Sequence, residues 1–288
     1  MSVDSKHENL PTLWVVSPCF NEESVLPLSA PLLFEQINDL IDKQIISPSS
    51  KVCFVDDGST DSTWKIISDF SETTSLCLGI SLSRNRGHQN ALLAGLMEAK
   101  SYCDIAISID CDGQDDISAI TKMVNCYKDG FEIVYGVRSE RDSDTFFKRF
   151  TAESFYHFLN KMGAEVVFNH ADYRLMSKRA LEALSEFTEV NLFLRGLVPL
   201  VGFKSTSVEY SRSKRMAGSS HYPLSKMLSL AFNGITSLSI KPIRLISGIG
   251  ILFSVFGFIG AIWAILTALT GSAVAGWAST ICIICLIG

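Results

Sequence analysis

Asp110 and Asp112 stand one residue apart where the apolar run Ile105-Ala-Ile-Ser-Ile109 stops, and the chain continues Gly113-Gln114-Asp115-Asp116. Two carboxylates so placed offer hard oxygen ligands. Mg²⁺ or Mn²⁺ takes one or two carboxylates and completes its shell with phosphates and water, and Gln114 can add a carbonyl oxygen or hold a bound water. Taken alone the pattern has a plainer reading, because acidic strand-to-helix turns are common and Asp115 or Asp116 would cap a helix. A second acidic cluster, Asp56-Asp57-Gly58-Ser59-Thr60-Asp61, follows another apolar run. Its glycine allows a tight turn, and its carboxylates can accept hydrogen bonds from the N–H of a base or the hydroxyls of a ribose. An ordinary capped turn is the alternative there. Pro18, Phe20, Asn21 and Glu22 would form the other wall of such a pocket, with Phe20 beside the base. The chemistry indicated is a divalent cation carrying a phosphorylated substrate.

The elements that must position these residues alternate along the chain. Leu13–Ser17, Lys51–Val55, Leu76–Leu82, Ile105–Ile109 and Phe131–Tyr135 read as strands. Pro31–Lys43, Ser62–Glu72, Gln89–Ala99 and Ile117–Tyr127 read as helices, with Asp61 as N-cap of the second and Asp115 or Asp116 as N-cap of the fourth. Such βαβα alternation implies an α/β fold with a mainly parallel sheet and helices on both faces. Ligands bind such sheets beyond the carboxyl ends of the strands, and the polar segments fall at those ends. After Gly136 the alternation fades. Phe146–Met162 and Leu224–Leu238 read as amphipathic helices, the second lying along a bilayer surface.

The chain has 288 residues, a formal net charge of −5 and 47% hydrophobic residues, and its mean hydropathy of +0.26 is high for a soluble enzyme. The excess sits at one end. From Leu245 to Gly288 no residue is charged, a stretch longer than the about 20 residues that one bilayer crossing needs. Thr270-Gly271-Ser272 offers a turn, so the expectation is a transmembrane helical hairpin whose second helix starts near Ala273 and is cut short or ends with the chain. Lys226, Lys241 and Arg244 precede the first span while the Thr270–Gly276 turn is uncharged, which puts the large N-terminal part in the cytoplasm. No secretory signal opens the chain. The eight cysteines therefore sit in a reducing compartment, most of them in apolar runs as small core residues; Cys282-Ile-Ile-Cys285 has redox-motif spacing but lies in the membrane span. The negative net charge argues against nucleic acid as a partner. Three regions follow: 1–222 catalytic, 223–242 a juxtamembrane amphipathic helix, and 243–288 membrane helices.

Five ordered motifs carry a resemblance: Val15–Glu22, Val55–Asp61, Ser83–His88, Asp110–Asp115 and Ala171–Met176. In order and spacing the chain resembles glycosyltransferase family 2, with its GT-A (Rossmann-like) fold, and within it the polyisoprenyl-phosphate glycosyltransferases. The resemblance covers roughly residues 12 to 270. It implies that Pro18, Phe20, Glu22, Val55 and Asp57 hold the nucleotide, that Asp110, Asp112 and Gln114 bind Mg²⁺ or Mn²⁺, and that Arg138 and Arg215 lie near the phosphates. Asp172 matches the acidic residue proposed as catalytic base. His221 stands where the family usually has a lysine, so a permanent charge becomes one that titrates near neutrality. The implied reaction is inverting transfer of a hexose from a nucleotide sugar, with UDP-glucose the expected donor, to undecaprenyl phosphate in the inner membrane. The product would be a lipid-linked sugar for cell-envelope glycan modification, and relatives suggest a homotetramer.

An acceptor phosphate would meet a basic patch on its way from the bilayer. Lys148, Arg149, Arg174 and Arg212 are the candidates, although attraction to anionic headgroups of membrane lipids explains such charges equally well. A lipid phosphate is already largely ionised at neutral pH, with a second pKa of about 6. Asp172 is therefore expected to orient the acceptor or tune Arg174 more than to remove a proton. A processive polysaccharide synthase, or a glycosyltransferase with a hydroxyl acceptor, is the alternative. The synthase would carry a Gln-x-x-Arg-Trp segment after Asp172, which is absent.

Overall fold

The structure, a computed structural model, describes residues 10–139, 170–187, 194–211 and 241–270, together with 276, 280, 281, 283 and 284. In chain order the elements are β1 (Leu13–Cys19), α1 (Leu26–Asp42), β2 (Lys51–Asp56), α2 (Thr63–Thr73), β3 (Cys77–Ser81), α3 (His88–Ala99), β4 (Ile105–Ser108) and α4 (Ala119–Lys128). There follow β5 (Ile133–Arg138), β6 (His170–Ser177), α5 (Lys178–Ser185), α6 (Leu194–Leu200), β7 (Ser205–Tyr210) and α7 (Lys241–Leu269). The seven strands form one sheet in the order β3-β2-β1-β4-β6-β5-β7. Four neighbouring pairs are parallel; β6 runs antiparallel to both β4 and β5. The expected GT-A-like sheet is present, mixed at β6.

Period-two alternation sends successive side chains of a strand to opposite faces, and here each face has its own core. Leu13, Val15, Phe54, Ile105, Ile107 and Leu175 pack with Leu33 and Ile37 of α1, Ile67 of α2 and Met123 of α4. Trp14, Val16, Val55, Ala106 and Met176 pack with Leu92 and Leu96 of α3, Leu181 of α5 and Leu197 of α6. Both faces of the central strands are thus dry, so these strands read as unbroken apolar runs.

The local starts and stops differ from the sequence expectations for identifiable reasons. α1 begins five residues early, since a proline in the first turn forfeits no helical hydrogen bond. Asp61 and Asp116 act ahead of the cap, by one position and by two: each accepts the N–H two residues on, Thr63 at 3.0 Å and Ser118 at 2.9 Å. Asp115 is not a cap, because its carboxylate is taken by Tyr210. β6 and β7 were not apparent from the sequence. The polar alternation of Asp172-Tyr-Arg-Leu-Met176 and Ser205-Thr-Ser-Val-Glu-Tyr210 hides them.

Gly58 makes the rim of the sheet possible. It sits at φ +67°, and a Cβ there would lie 2.5 Å from the Arg84 carbonyl carbon and 2.6 Å from the Asn85 nitrogen. Gly58→Ala is expected to cost roughly 2–3 kcal/mol and lower Tm by about 5–10 °C. Gly130 also has positive φ, but its Cβ would meet nothing within 4 Å, so Gly130→Ala should cost only the backbone part, about 1 kcal/mol. Equal melting temperatures for the two variants would show that the 84–87 loop does not press on Gly58.

The C-terminal helix is of another kind. Within α7, Ile243–Leu269 is long and apolar enough to cross a membrane, and only 6% of its most apolar window is buried. Phe253, Phe258 and Leu266 face outward with the rest, so this is no core helix of a soluble domain. Such a helix is suited to membrane association. The expected second span from Ala273, and the amphipathic helices at Phe146–Met162 and Leu224–Leu238, lie outside the described residues or nearly so.

Candidate active site

Four segments meet beyond the carboxyl ends of β1, β2, β3 and β4, and hydrogen bonds knit three of them together. Asn21, at φ 53°, accepts from Thr60 N at 2.9 Å through its side chain and donates its own N–H to Ser59 Oγ at 2.9 Å. Glu23 Oε2 accepts from Ser62 N at 3.0 Å, and Glu22 N donates to Thr63 Oγ1 at 2.8 Å. Asp57 is buried and receives two backbone donors, Arg86 N at 2.7 Å and Gly87 N at 2.9 Å. Its visible task is to fasten the 84–87 loop to the end of β2. Phe20 is 44% exposed on the opposite lip. Pro18 is buried, and Val55 is wholly buried with its side chain in the α3-side core.

The metal-type carboxylates follow β4. Asp112 is 6% exposed and its Oδ1 accepts from Gln114 N at 3.0 Å. Among the described residues Asp110 Oδ1 is buried with no hydrogen-bond partner, and His88 Nε2 stands 3.5 Å away. Burial first, and then the neighbouring carboxylates Asp172, Asp115 and Asp112, push the Asp110 carboxyl up to about 6 against the opposing pull of His88. An orphaned carboxylate oxygen under this strain fits a divalent cation, whose charge would relieve it. Among the described residues no group of three or more His, Cys, Asp or Glu is arranged to hold a metal. Two carboxylates suit a cation that takes its remaining ligands from phosphate and water. A cavity of about 290 Å³ opens beside Asp110, lined also by Ile109, Asp115, Asp116, Ile117 and Ser211.

Because β6 is antiparallel, its beginning lies where the parallel strands end. Ser108 pairs with Arg174 in the ladder, which carries Asp172 just past the end of β4, and Ser108 Oγ donates to the Asp172 carbonyl. The Asp172 side chain is 7% exposed and gripped by two arginines. Arg174 Nη2 donates to Oδ1 at 2.6 Å; Arg195 donates from Nε to Oδ1 at 3.1 Å and from Nη2 to Oδ2 at 3.0 Å. Gln89 Nε2 reaches Oδ2 at 3.4 Å, and His88 Nε2 stands 3.7 Å from the same oxygen. Burial alone would raise this carboxyl, but the nearby His88 imidazole and the Arg195 and Arg174 guanidiniums outweigh it and hold it well below the usual range. His88 faces the opposite balance: burial opposes its protonation, and Asp172 and Asp110 prevail and raise it.

Arg138 ends β5 with its Nε donating to Tyr210 Oη at 3.3 Å and its Nη2 4.0 Å from Asp115 Oδ1. Tyr210 Oη donates to Asp115 at 2.8 Å, and Tyr173 Oη to the Asp116 carbonyl at 3.1 Å. Two buried tyrosines thus prop the acidic loop from β6 and β7. Arg174, expected at an acceptor phosphate, has a side chain only 3% exposed and is spent on Asp172 and on the Leu194 carbonyl at 3.3 Å. Lys148, Arg149, Arg212, Arg215 and His221 lie outside the described residues. The sequence reading gives His88 no role of its own and passes over Gln89 and Arg195. The one available signal was Arg195 itself, a lone charge in Leu192-Phe-Leu-Arg-Gly-Leu-Val198.

Residues 14–185 match the family described as Glycosyl transferase family 2. The chain belongs to that family and is a glycosyltransferase with the GT-A fold. It is 50% identical over 281 residues to the "Uncharacterized glycosyltransferase YkoT" of Bacillus subtilis strain 168, covering 98% of this chain and 83% of that relative. It is 36% identical over 276 residues to the "Prophage bactoprenol glucosyl transferase homolog" of Escherichia coli K12, covering 95% and 88%. Among solved structures it is similar to glucosyl-3-phosphoglycerate synthase from Mycobacterium tuberculosis, in complex with Mn²⁺, uridine diphosphate and phosphoglyceric acid. That match has TM-score 0.51 and 18% identity, over 79% of this chain and 77% of that one, and it bears on the fold alone.

Proposed function

We propose that the protein transfers a hexose, with inversion, from a nucleotide sugar to a polyisoprenyl phosphate held in the membrane, with UDP-glucose as donor. The observation that carries the reading is the meeting of Asp110 and Asp112 with Asp172 at one sheet rim, in a chain that also bears an exposed apolar helix. Relatives named for bactoprenol glucosyl transfer, such as that of Shigella phage SfV at 35% identity, support the acceptor class. Asp110 and Asp112, with Gln114 beside them, would hold Mg²⁺ or Mn²⁺; when bound it offsets the charge that develops on the departing diphosphate. Phe20 and Glu22 flank the nucleotide, and Asp57 holds the loop that closes its far side. Arg138, kept in place by Tyr210 and Asp115, adds positive charge toward the phosphates. Asp172, a fixed anion, orients the incoming acceptor and takes no proton from it. Residues 1–222 form the catalytic part on the cytoplasmic side, and 223–242 and 243–288 bring it to the acceptor.

The test supplies membranes containing the protein with labelled nucleotide sugars and undecaprenyl phosphate. Label is expected in an organic-extractable, acid-labile lipid, strongest with UDP-glucose and lost with chelator. No lipid product with any common donor would sink the acceptor assignment.

A further inference from the structure

Asp172 has more positive charge around it than a buried carboxylate needs. Arg174, on the same strand, already pairs with it at 2.6 Å with only 3% of its own side chain exposed. Arg195 comes from a separate element, α6, and meets both carboxylate oxygens. This two-point contact fixes the plane of the carboxylate as well as its charge. The turn that delivers Arg195 is itself held. Gln89 on α3 accepts from Leu194 N at 3.1 Å through Oε1, and its Nε2 reaches Asp172 Oδ2. Arg174 takes the Leu194 carbonyl from the other side. Three segments far apart in sequence thus converge on one carboxylate. Arg195 keeps 34% of its side chain exposed, whereas Arg174 is almost wholly enclosed.

We infer that Arg195 is a positioning residue of the transfer reaction: it sets the orientation of the Asp172 carboxylate, and Gln89 sets Arg195. The inference rests on the proposed role of Asp172 at the acceptor. Fold stability does not require this second cation, because Arg174 already neutralises the buried anion. What requires it is a carboxylate held at one angle while an anionic acceptor approaches three acidic groups, Asp110, Asp112 and Asp172.

The experiment compares wild type, Arg195→Gln, Arg195→Lys and Gln89→Leu as full chains in detergent or membranes. Sugar transfer, thermal melting and affinity for the nucleoside diphosphate with Mn²⁺ are measured on each. Arg195→Gln is expected to lower kcat about 10- to 100-fold, as loss of an outer partner of a site group does, with donor KM within about two-fold of wild type. Arg195→Lys should recover part of the loss through its charge but not all, lacking the fork, and Gln89→Leu should show a smaller fall of the same kind. A kcat for Arg195→Gln equal to wild type, or a fall matched by lost folded protein and lost nucleotide affinity, would overturn the inference. Should wild type give no lipid-linked sugar at all, the acceptor reading fails separately. The same variants are then compared in metal-dependent hydrolysis of the nucleotide sugar by water, where the kcat pattern still decides the role of Arg195.

Discussion

Asp112→Asn is expected to abolish sugar transfer, by at least about 10³-fold, the equivalent of several kcal/mol of lost charge stabilisation on the leaving diphosphate. The variant should nonetheless fold. Asn has the shape of Asp and keeps the Oδ1 acceptor that receives Gln114 N at 3.0 Å, so the turn after β4 retains its internal bond. What disappears is one of the two negative charges that a divalent cation needs from the protein. The check is a transfer assay run alongside a circular-dichroism melt. A folded Asp112→Asn protein with wild-type turnover would place the metal elsewhere or remove it from the reaction.

Asp172→Ala should show the largest loss of stability of any single change at the rim. It strips the counter-ion from Arg174, whose side chain is 3% exposed. Leaving a buried charge unpaired costs about 3–5 kcal/mol, or roughly 6–20 °C in Tm for a domain of this size. Activity lost in that variant would therefore say little about chemistry. Asp172→Leu combined with Arg174→Met is the informative partner, since replacing a buried pair with apolar groups recovers stability while the anion stays absent. Recovered melting with no transfer is the expected pattern; recovered transfer would sink the role of Asp172. The sign of the pH effect follows from the carboxyl lying below its ordinary 3.8. Its contribution to stability is complete above that value and is lost only as pH falls through the lower folded-state value. Asp172 is thus ionised throughout the neutral range and contributes no acid limb there. Asp110, raised to about 6 partly by Asp172, is the carboxyl that titrates there without a metal, so only a limb between pH 5 and 7 that persists at saturating divalent cation and vanishes in Asp172→Asn would restore the general-base role.

Much of the fold was legible because β1, β2 and β4 are apolar on both faces, and a run such as Leu13–Cys19, buried at every position, has no competing reading once helices alternate with it. The acidic residues at strand ends were legible for a related reason: a charged group just beyond a dry run must lie at the edge of the sheet, where water or a ligand can reach it. β6 escaped notice because its polar side chains are satisfied by partners distant in sequence, Asp172 by Arg195 and Tyr173 by the Asp116 carbonyl. No local pattern records such pairings. The fates of Asp57 and Arg174 were hidden likewise. Each is the right residue type to touch a substrate, yet Asp57 is engaged by loop amides and Arg174 by a buried carboxylate.

The sequence by itself determined the α/β class, the convergence of four strand ends on one rim, the Asp110-x-Asp112 pair and the apolar C-terminal helix, because burial and periodicity are local properties of the chain. Only the tertiary structure decided that β6 enters the sheet antiparallel between β4 and β5. That reversal brings Asp172 beside Asp110 and lets α3 and α6 deliver His88, Gln89 and Arg195 to it. Which charge neutralises which depends on distances across the sheet, and those are set by strand order and direction.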